Sequence, residues 1–182
     1  MNKIPETPLC KLAFKYKSDK CRRRGMHTYT EYYYKLLKDK KKTIKKVLEI
    51  GIGKKASLRM WRDFFPNAKI YGADYRQDLL FKQDRIKSIL CDQRKSDHLI
   101  NLIDNIGPNI DLIVDDGSHR PRDQVFTCLT LMPLVKRQVI YVIEDVADPS
   151  IVERLSQYDV KIPKIDQSIK RFDNRLVEVR HK

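Results

Sequence analysis

Carboxylates and a histidine follow two apolar runs of the sequence. In the stretch DLIVDDGSH, Asp115, Asp116 and His119 come directly after an apolar run, and in YVIEDV the same is true of Glu144 and Asp145. Carboxylate oxygens are the ligands that Mg²⁺ prefers, and an imidazole can accept a proton near neutral pH. The residues favour metal-assisted acid–base chemistry, although either acid pair alone is most often solvated surface and His119 can simply cap the helix that follows.

A second group of residues lies upstream, around a glycine turn. The stretch KKVLEIGIG predicts a buried strand that runs into Gly51 and Gly53, where the absence of side chains lets the backbone approach a ligand. About 20 residues further on, Asp74 ends the next apolar run and is placed to accept a hydrogen bond from a ribose diol. Asp92 and Gln93 end a third run and are able to meet an adenine edge. In this order and at this spacing, the residues favour an adenosine-containing ligand.

Alternating strands and helices must position these residues. Apolar runs typical of buried strands alternate with amphipathic segments such as ASLRMWRDFFPNA and DHLINLIDNIG, which predict helices. The alternation predicts an α/β fold with a doubly wound, mostly parallel, seven-stranded Rossmann-like sheet. The last two strands, YDVKIPKID and NRLVEVRH, are expected to form an antiparallel hairpin at one edge. Ligands of such sheets bind at the carboxyl ends of the strands, where the acids lie.

The first quarter of the chain differs from the remainder. It contains 15 Lys and Arg against four Asp and Glu up to position 46, a surplus of 11 positive charges out of a net +14. We expect residues 1–45 to form a basic helical segment packed on a single domain of residues 46–182. Thr28 and Glu31 match a capping box, which predicts a helix from about residue 29 to 39. The positive charge is either a solubilising surface or a contact for nucleic acid.

The four cysteines show neither a CxxC pair nor the spacing of a zinc site, so we expect reduced thiols. No apolar run approaches the roughly 20 residues that span a bilayer. The first residues also lack the apolar stretch of a secretory signal. We therefore expect a cytoplasmic protein without a membrane partner.

The glycine turn resembles the first motif of the class I methyltransferases that use S-adenosylmethionine. Their pattern of an acid and two glycines, with a second acid after the next strand, matches Glu49, Gly51, Gly53 and Asp74. Longer stretches resemble the metal-dependent sugar O-methyltransferases of macrolide antibiotic pathways and the rhamnosyl O-methyltransferases. These stretches are LEIGIGKKASLRMWRDFFPNAKIYGADY, KYKSDK, HTYTEYY and DLIVDDGSH, and the resemblance covers most of residues 14–146.

The resemblance implies methyl transfer from S-adenosylmethionine to a hydroxyl of a sugar or small glycosylated molecule, assisted by Mg²⁺ or another divalent cation. It assigns Asp116, Glu144 and Asp145 as metal ligands and His119 as the general base, with Gly117 permitting the turn between them. The residues that it implies for cofactor binding are Glu49, Gly51, Gly53, Ser57, Asp74, Asp92, Gln93 and Asp115.

Other functions stay open at this point. A methyltransferase of RNA cap ribose, or an RNA-binding protein, would use the basic first quarter, but cap ribose enzymes pair their carboxylates with lysines, and these strand ends lack obvious lysine partners. A non-catalytic protein on the same fold is the other alternative, because the family usually has glycine where this chain has Lys55. Either Lys55 points away from the cofactor or it weakens binding. A dehydrogenase fits less well, because Ala56 replaces the third glycine of its dinucleotide motif.

Overall fold

The buried apolar runs become the strands of one sheet in the computed structural model of the protein, which describes residues 6–182. Five neighbouring strands are parallel, and antiparallel strands flank them on both sides, in the order β3-β4-β2-β1-β5-β6-β8-β7. The strands are β1 (Lys46–Ile50), β2 (Lys69–Asp74), β3 (Lys82–Gln83), β4 (Ile86–Leu90), β5 (Leu112–Asp115), β6 (Ile140–Ile143), β7 (Asp159–Lys161) and β8 (Val177–Arg180).

The predicted α/β class, the mostly parallel sheet and the antiparallel pair β7–β8 are confirmed. The predicted number of seven strands is wrong, because the sheet has eight within residues 6–182. The additional strand, β3, consists only of Lys82 and Gln83, which are both exposed and pair antiparallel with β4. Two exposed polar residues produce no apolar pattern, so the sequence carries no signal for this strand.

Helices cover both faces of the sheet. One face packs against α4 and α5, and the other against α1, α2 and α3. The helices are α1 (Pro8–Tyr16), α2 (Tyr29–Leu37), α3 (Ala56–Phe64), α4 (Ser96–Ile106), α5 (Pro121–Leu131) and α6 (Ile151–Arg154). Among residues 6–182, no helix is both long and apolar enough to cross a bilayer. Residues 1–5 of the expected basic segment lie outside the described residues.

The start of helix α2 is capped differently from the prediction. Helix α2 starts at Tyr29 as expected, but the capping box is wrong, since the Thr28 hydroxyl donates to the carbonyl of Asp166 at 2.6 Å and does not cap the helix. Instead, the backbone carbonyl of Lys20 accepts from the amides of Tyr29 and Thr30 at 3.0 and 3.1 Å.

Helix α1 was not predicted, although the sequence contains residues that are typical of a helix start. Thr7 caps it by accepting from the Cys10 amide at 3.1 Å, and Pro8 occupies its first turn.

Strands β1 and β5 approach each other closely at their carboxyl ends. The Asp116 amide donates to the carbonyl of Ile50 at 2.9 Å, and Gly51 follows with φ of +89°. A Cβ atom at Gly51 would lie 2.1 Å from the carbonyl oxygen of Asp116. Only glycine allows this approach, which places the two acid-bearing strand ends side by side.

Replacing Gly51 with alanine is expected to lower the free energy of unfolding by at least about 3 kcal/mol, because the backbone conformation and the contact with Asp116 are both violated. Gly53→Ala is the matched control: Gly53 has φ of +45°, but nothing lies within 4 Å of its would-be Cβ. It should cost about 1 kcal/mol, the backbone penalty alone. Urea denaturation measures both values, and equal losses would contradict the close approach.

Candidate active site

The carboxyl ends of the parallel strands bring acids from distant parts of the sequence to one edge of the sheet. The structure groups Asp116 after β5, Asp145 after β6 and His119 from the loop that leads into α5. One side-chain oxygen or nitrogen of each of these residues lies within 4.8 Å of the others. Two carboxylates and an imidazole at this spacing are able to hold a divalent cation.

His119 bridges the two carboxylates. Its Nε2 lies 3.4 Å from Oδ1 of Asp116, and its Nδ1 lies 3.3 Å from Oδ2 of Asp145. His119 and Asp145 both adopt left-handed backbone conformations, with φ of 57° and 53°. Left-handed conformations are costly for residues other than glycine and cluster at functional sites, where the surrounding fold enforces them.

Gly117, which is expected to permit the turn before His119, lies against the side chain of Gln93. The residue with a left-handed backbone in this turn is His119, and the φ angle of Gly117 is not positive. A Cβ atom at Gly117 would lie 1.9 Å from Oε1 of Gln93, so glycine is needed here to make room for that side chain. Oε1 of Gln93 accepts from the Ser118 amide at 2.7 Å, which fixes the loop that carries His119.

Buried aromatic residues of the N-terminal segment hold Asp145 in place. The Tyr29 hydroxyl donates to Oδ1 of Asp145 at 2.6 Å, and Nδ1 of His27 lies 3.4 Å from the same oxygen. The rings of His27 and Tyr29 stack with centroids 4.6 Å apart. Oδ2 of Asp145 is thereby left to face His119.

A buried lysine lies behind the site and was missed by the sequence reasoning. Nζ of Lys20 lies 2.5 Å from Oδ2 of Asp116, 2.6 Å from Oε2 of Glu144 and 3.3 Å from Oε1 of Glu49, and the side chain is 1% exposed. The expectation that these strand ends lack a lysine partner is therefore wrong. Its partners Asp116 and Glu144 lie 96 and 124 positions away in the chain, so spacing gave no signal.

Glu144, an expected metal ligand, points away from the group formed by Asp116, His119 and Asp145. Its Oε2 accepts from Lys20, and its Oε1 accepts from the Tyr33 hydroxyl at 2.6 Å. The carboxylate is 1% exposed. Its role as a ligand remains a prediction, as do those of Asp116 and Asp145, which each present an oxygen to His119.

Charges set the protonation of the site in the absence of a metal ion. Burial alone would raise the pKa of Asp116, but Lys20 and His119 outweigh burial and lower it to about 2. The hydrogen bond to Asp116 raises the pKa of His119 to about 9. For Asp145, burial and the charge of Asp116 raise the pKa above its ordinary value. His119 is thus a cation at pH 7 when only the protein's own groups surround it.

An adjoining cavity of about 360 Å³ lies over the ends of β1, β2 and β4. Its wall includes Gly51, Asp74, Asp92 and Gln93, four of the residues expected to bind the cofactor. Oδ2 of Asp74 accepts from the Ile52 amide and Oδ1 from the Arg76 amide, both at 2.9 Å, so this acid also fixes the glycine turn.

A second cavity of about 530 Å³ contains Asp116 and His119, together with Gly53 and Ser57 of the glycine turn. Residues from the N-terminal segment, among them Lys17, Arg24 and Met26, close its other side. The two cavities share Gly51, Asp74 and Gly117, so a ligand in one can reach a ligand in the other.

Two residues expected to bind the cofactor lie behind the cavity walls. Glu49 is buried and accepts from Nε1 of Trp61 at 3.0 Å. Asp115 is 1% exposed and accepts from Gln93 and from the Tyr141 hydroxyl, both at 3.2 Å. This placement argues against direct contact with a cofactor, because both carboxylates are already enclosed by protein donors.

The chain is similar in sequence and in fold to several O-methyltransferases. No family model matches the sequence. The chain is 35% identical over 147 residues to the 8-demethyl-8-alpha-L-rhamnosyl tetracenomycin-C 2'-O-methyltransferase of Streptomyces olivaceus, a match that covers 75% of this chain and 37% of that protein. It is 35% identical over 127 residues to the mycinamicin VI 2''-O-methyltransferase of Micromonospora griseorubida, covering 66% of this chain and 32% of the relative.

Among solved structures, the MycE methyltransferase from the mycinamycin biosynthetic pathway, in complex with Mg, SAH and mycinamycin VI, matches with a TM-score of 0.78 and 25% identity. The match covers 98% of this chain and 55% of that chain. The protein is a class I methyltransferase homologue related to the sugar O-methyltransferases. It spans about a third of the length of the two curated relatives.

At position 55, the resemblance to the sugar O-methyltransferases predicts glycine, whereas this chain has lysine. The Lys55 side chain points away from both cavities. Its Nζ lies over the ring of Phe81, 5.1 Å from the centroid, and neither cavity wall includes Lys55. Its φ of 65° is left-handed, which explains why glycine suits this position better. The bulky cation therefore leaves the space over the glycine turn open.

The His119 imidazole is expected to titrate with a pKa of about 9 in protein treated with a chelator. Asp116→Asn should move this pKa toward the ordinary value of 6.5, because the main hydrogen bond that stabilises the imidazolium is weakened. Since the folded-state pKa is raised, the stabilisation is complete below about pH 6.5 and disappears as the pH rises through about 9. Histidine ring NMR measures the titration. A wild-type pKa near 6.5, or no change in Asp116→Asn, would contradict the geometry.

Proposed function

We propose that the protein transfers the methyl group of S-adenosylmethionine to a hydroxyl oxygen of a sugar on a natural product, with the help of Mg²⁺. The observation that carries the proposal is the group formed by Asp116, His119 and Asp145, because Asp116 and His119 line the cavity that adjoins the one lined by Asp74 and Gln93. The cavity with Asp116 and His119 suits a hydroxyl acceptor, and the cavity with Asp74 and Gln93 suits an adenosine. The methyl donor and the acceptor would then meet at the wall that the two cavities share.

The residues present fit a divalent cation. Oδ1 of Asp116 and Oδ2 of Asp145 both face His119, and Asp116 and His119 line the second cavity. Oxygen ligands of this kind suit Mg²⁺, which retains several waters or substrate oxygens. Bound at these carboxylates, Mg²⁺ would lower the pKa of an acceptor hydroxyl and orient it.

His119 is proposed as the base that takes the proton of the acceptor hydroxyl. The deprotonated oxygen forms a bond to the sulfonium methyl carbon while the bond from sulfur to that carbon breaks, and sulfur leaves with the electron pair. His119 can act only as the neutral imidazole. A cation held by Asp116 would compete with the imidazolium for the charge of this carboxylate, which would lower the pKa of His119 and favour the neutral base.

The names of the relatives support a sugar as the acceptor. The two curated relatives are 2'- and 2''-O-methyltransferases of a rhamnosyl tetracenomycin and of mycinamicin VI. By analogy, the acceptor proposed for this chain is a sugar hydroxyl of a small glycosylated molecule. The wall formed by Lys17, Arg24 and Met26 would contact it.

Internal pairing weakens the case for RNA as the substrate. Lys20 is buried among carboxylates, Arg22 binds Glu31 and Asp166, and Arg23 binds Glu6. These cations of the first quarter are therefore already neutralised by the protein's own acids.

A methyl-transfer assay tests the proposal. With radiolabelled S-adenosylmethionine, Mg²⁺ and a panel of rhamnosylated and macrolide glycosides, label should enter at least one acceptor, and a chelator should abolish transfer. His119→Ala and Asp145→Asn should each lower kcat/KM at least about 100-fold. Asp148→Asn, which removes an exposed carboxylate on the loop after β6, is the matched control and should retain activity. Activity that survives both the chelator and His119→Ala would contradict the mechanism.

A further inference from the structure

The environment of Lys20 is unusual for a lysine. Its ammonium faces carboxylates from the ends of three neighbouring strands: Glu49 from β1, Asp116 after β5 and Glu144 after β6. Within residues 6–182, no other lysine or arginine lies within 4.0 Å of these three carboxylates. Buried charges are tolerated only when they are paired, so Lys20 carries most of the compensation for this acidic edge.

The backbone of Lys20 is fixed as firmly as its side chain. Its carbonyl oxygen accepts from the amides of Tyr29 and Thr30, at the first turn of α2. Tyr29 and Tyr33 of the same helix donate to Asp145 and Glu144. The segment that delivers the ammonium is therefore tied to the carboxylates that receive it.

Asp116 divides its two oxygens between the interior and the crevice. Oδ2 lies 2.5 Å from Nζ of Lys20, whereas Oδ1 faces His119. A cation bound to Oδ1 in the crevice would share this carboxylate with the ammonium. Two positive charges on one carboxylate repel each other, and the repulsion is strong where water is excluded.

We propose that Lys20 is a built-in counter-cation, which keeps the acidic edge assembled before a divalent ion binds and at the same time weakens the binding of that ion. Lys20 acts as a positioning residue through Asp116 and Glu144. The second half of this inference rests on the proposed use of a divalent cation, whereas the first half does not.

Lys20→Gln tests both halves, because glutamine keeps a hydrogen-bond donor but removes the charge. The matched control is Lys54→Gln, which removes an exposed lysine from the wall of the same crevice. Melting temperatures are measured in the presence of a chelator, and the Kd for Mn²⁺ is measured by calorimetry without cofactor or acceptor, at constant ionic strength.

Without metal, Lys20→Gln should melt at least about 6 °C below Lys54→Gln, because it leaves buried carboxylates unpaired. It should also bind Mn²⁺ at least about tenfold more tightly than the wild-type protein, whereas Lys54→Gln should stay within about threefold because its charge is solvated. Equal melting temperatures for the two variants would contradict the proposal that Lys20 stabilises the acidic edge. If Lys20→Gln binds Mn²⁺ no more tightly than the wild-type protein, the proposal that Lys20 weakens metal binding is contradicted.

If Mn²⁺ binds to none of the three proteins, the proposed metal assistance fails. The comparison of melting temperatures still decides whether Lys20 is the counter-cation. Should Lys20→Gln be insoluble, the double variant Lys20→Gln with Glu144→Gln removes one charge of each sign and should be soluble. A double variant that is equally insoluble would overturn the charge argument.

Discussion

The burial of acidic side chains at the ends of neighbouring strands is the constraint on which this structure depends. Glu49, Asp74, Asp116 and Glu144 all follow or end parallel strands of one sheet, within a few residues of the point where the chain leaves it. A fold that concentrates carboxylates in this way must compensate for them with donors or cations. Backbone amides donate to Asp74, the Trp61 indole donates to Glu49, and the Tyr33 hydroxyl donates to Glu144. Lys20 lies against one oxygen each of Glu49, Asp116 and Glu144.

The acids at this edge of the sheet fall into an inner group and an outer group. Glu49 and Glu144 are enclosed, whereas Asp116 and Asp145 each direct one oxygen to His119, which lines the second cavity with Asp116. The inner group accounts for how the edge is held together, and the outer group is where chemistry with a ligand can take place. Left-handed backbone at His119 and Asp145 is the conformational cost of that arrangement.

Much of the fold could be predicted from the sequence, because buried parallel strands and amphipathic helices have clear patterns. The acids Asp74, Asp116 and Asp145 could be located as well, since strand ends and the carboxyl edge of the sheet follow from the same patterns. Strand β3 could not, because two exposed polar residues have no periodicity. The stretches KYKSDK and HTYTEYY included Lys20 and Tyr29 in the family resemblance, but the roles of the two residues could not be predicted. Their contacts with Asp116, Glu144 and Asp145 depend on how the N-terminal segment packs, which no local pattern encodes.

The most direct test is a crystal structure with S-adenosylhomocysteine and Mn²⁺, whose anomalous scattering locates the ion independently of the protein atoms. The account predicts an anomalous peak at coordination distance from Oδ1 of Asp116 and Oδ2 of Asp145, with the nucleoside across Asp74 in the neighbouring cavity. A nucleoside bound there without any peak at these carboxylates would contradict the metal-assisted site. A peak elsewhere on the chain would contradict it equally.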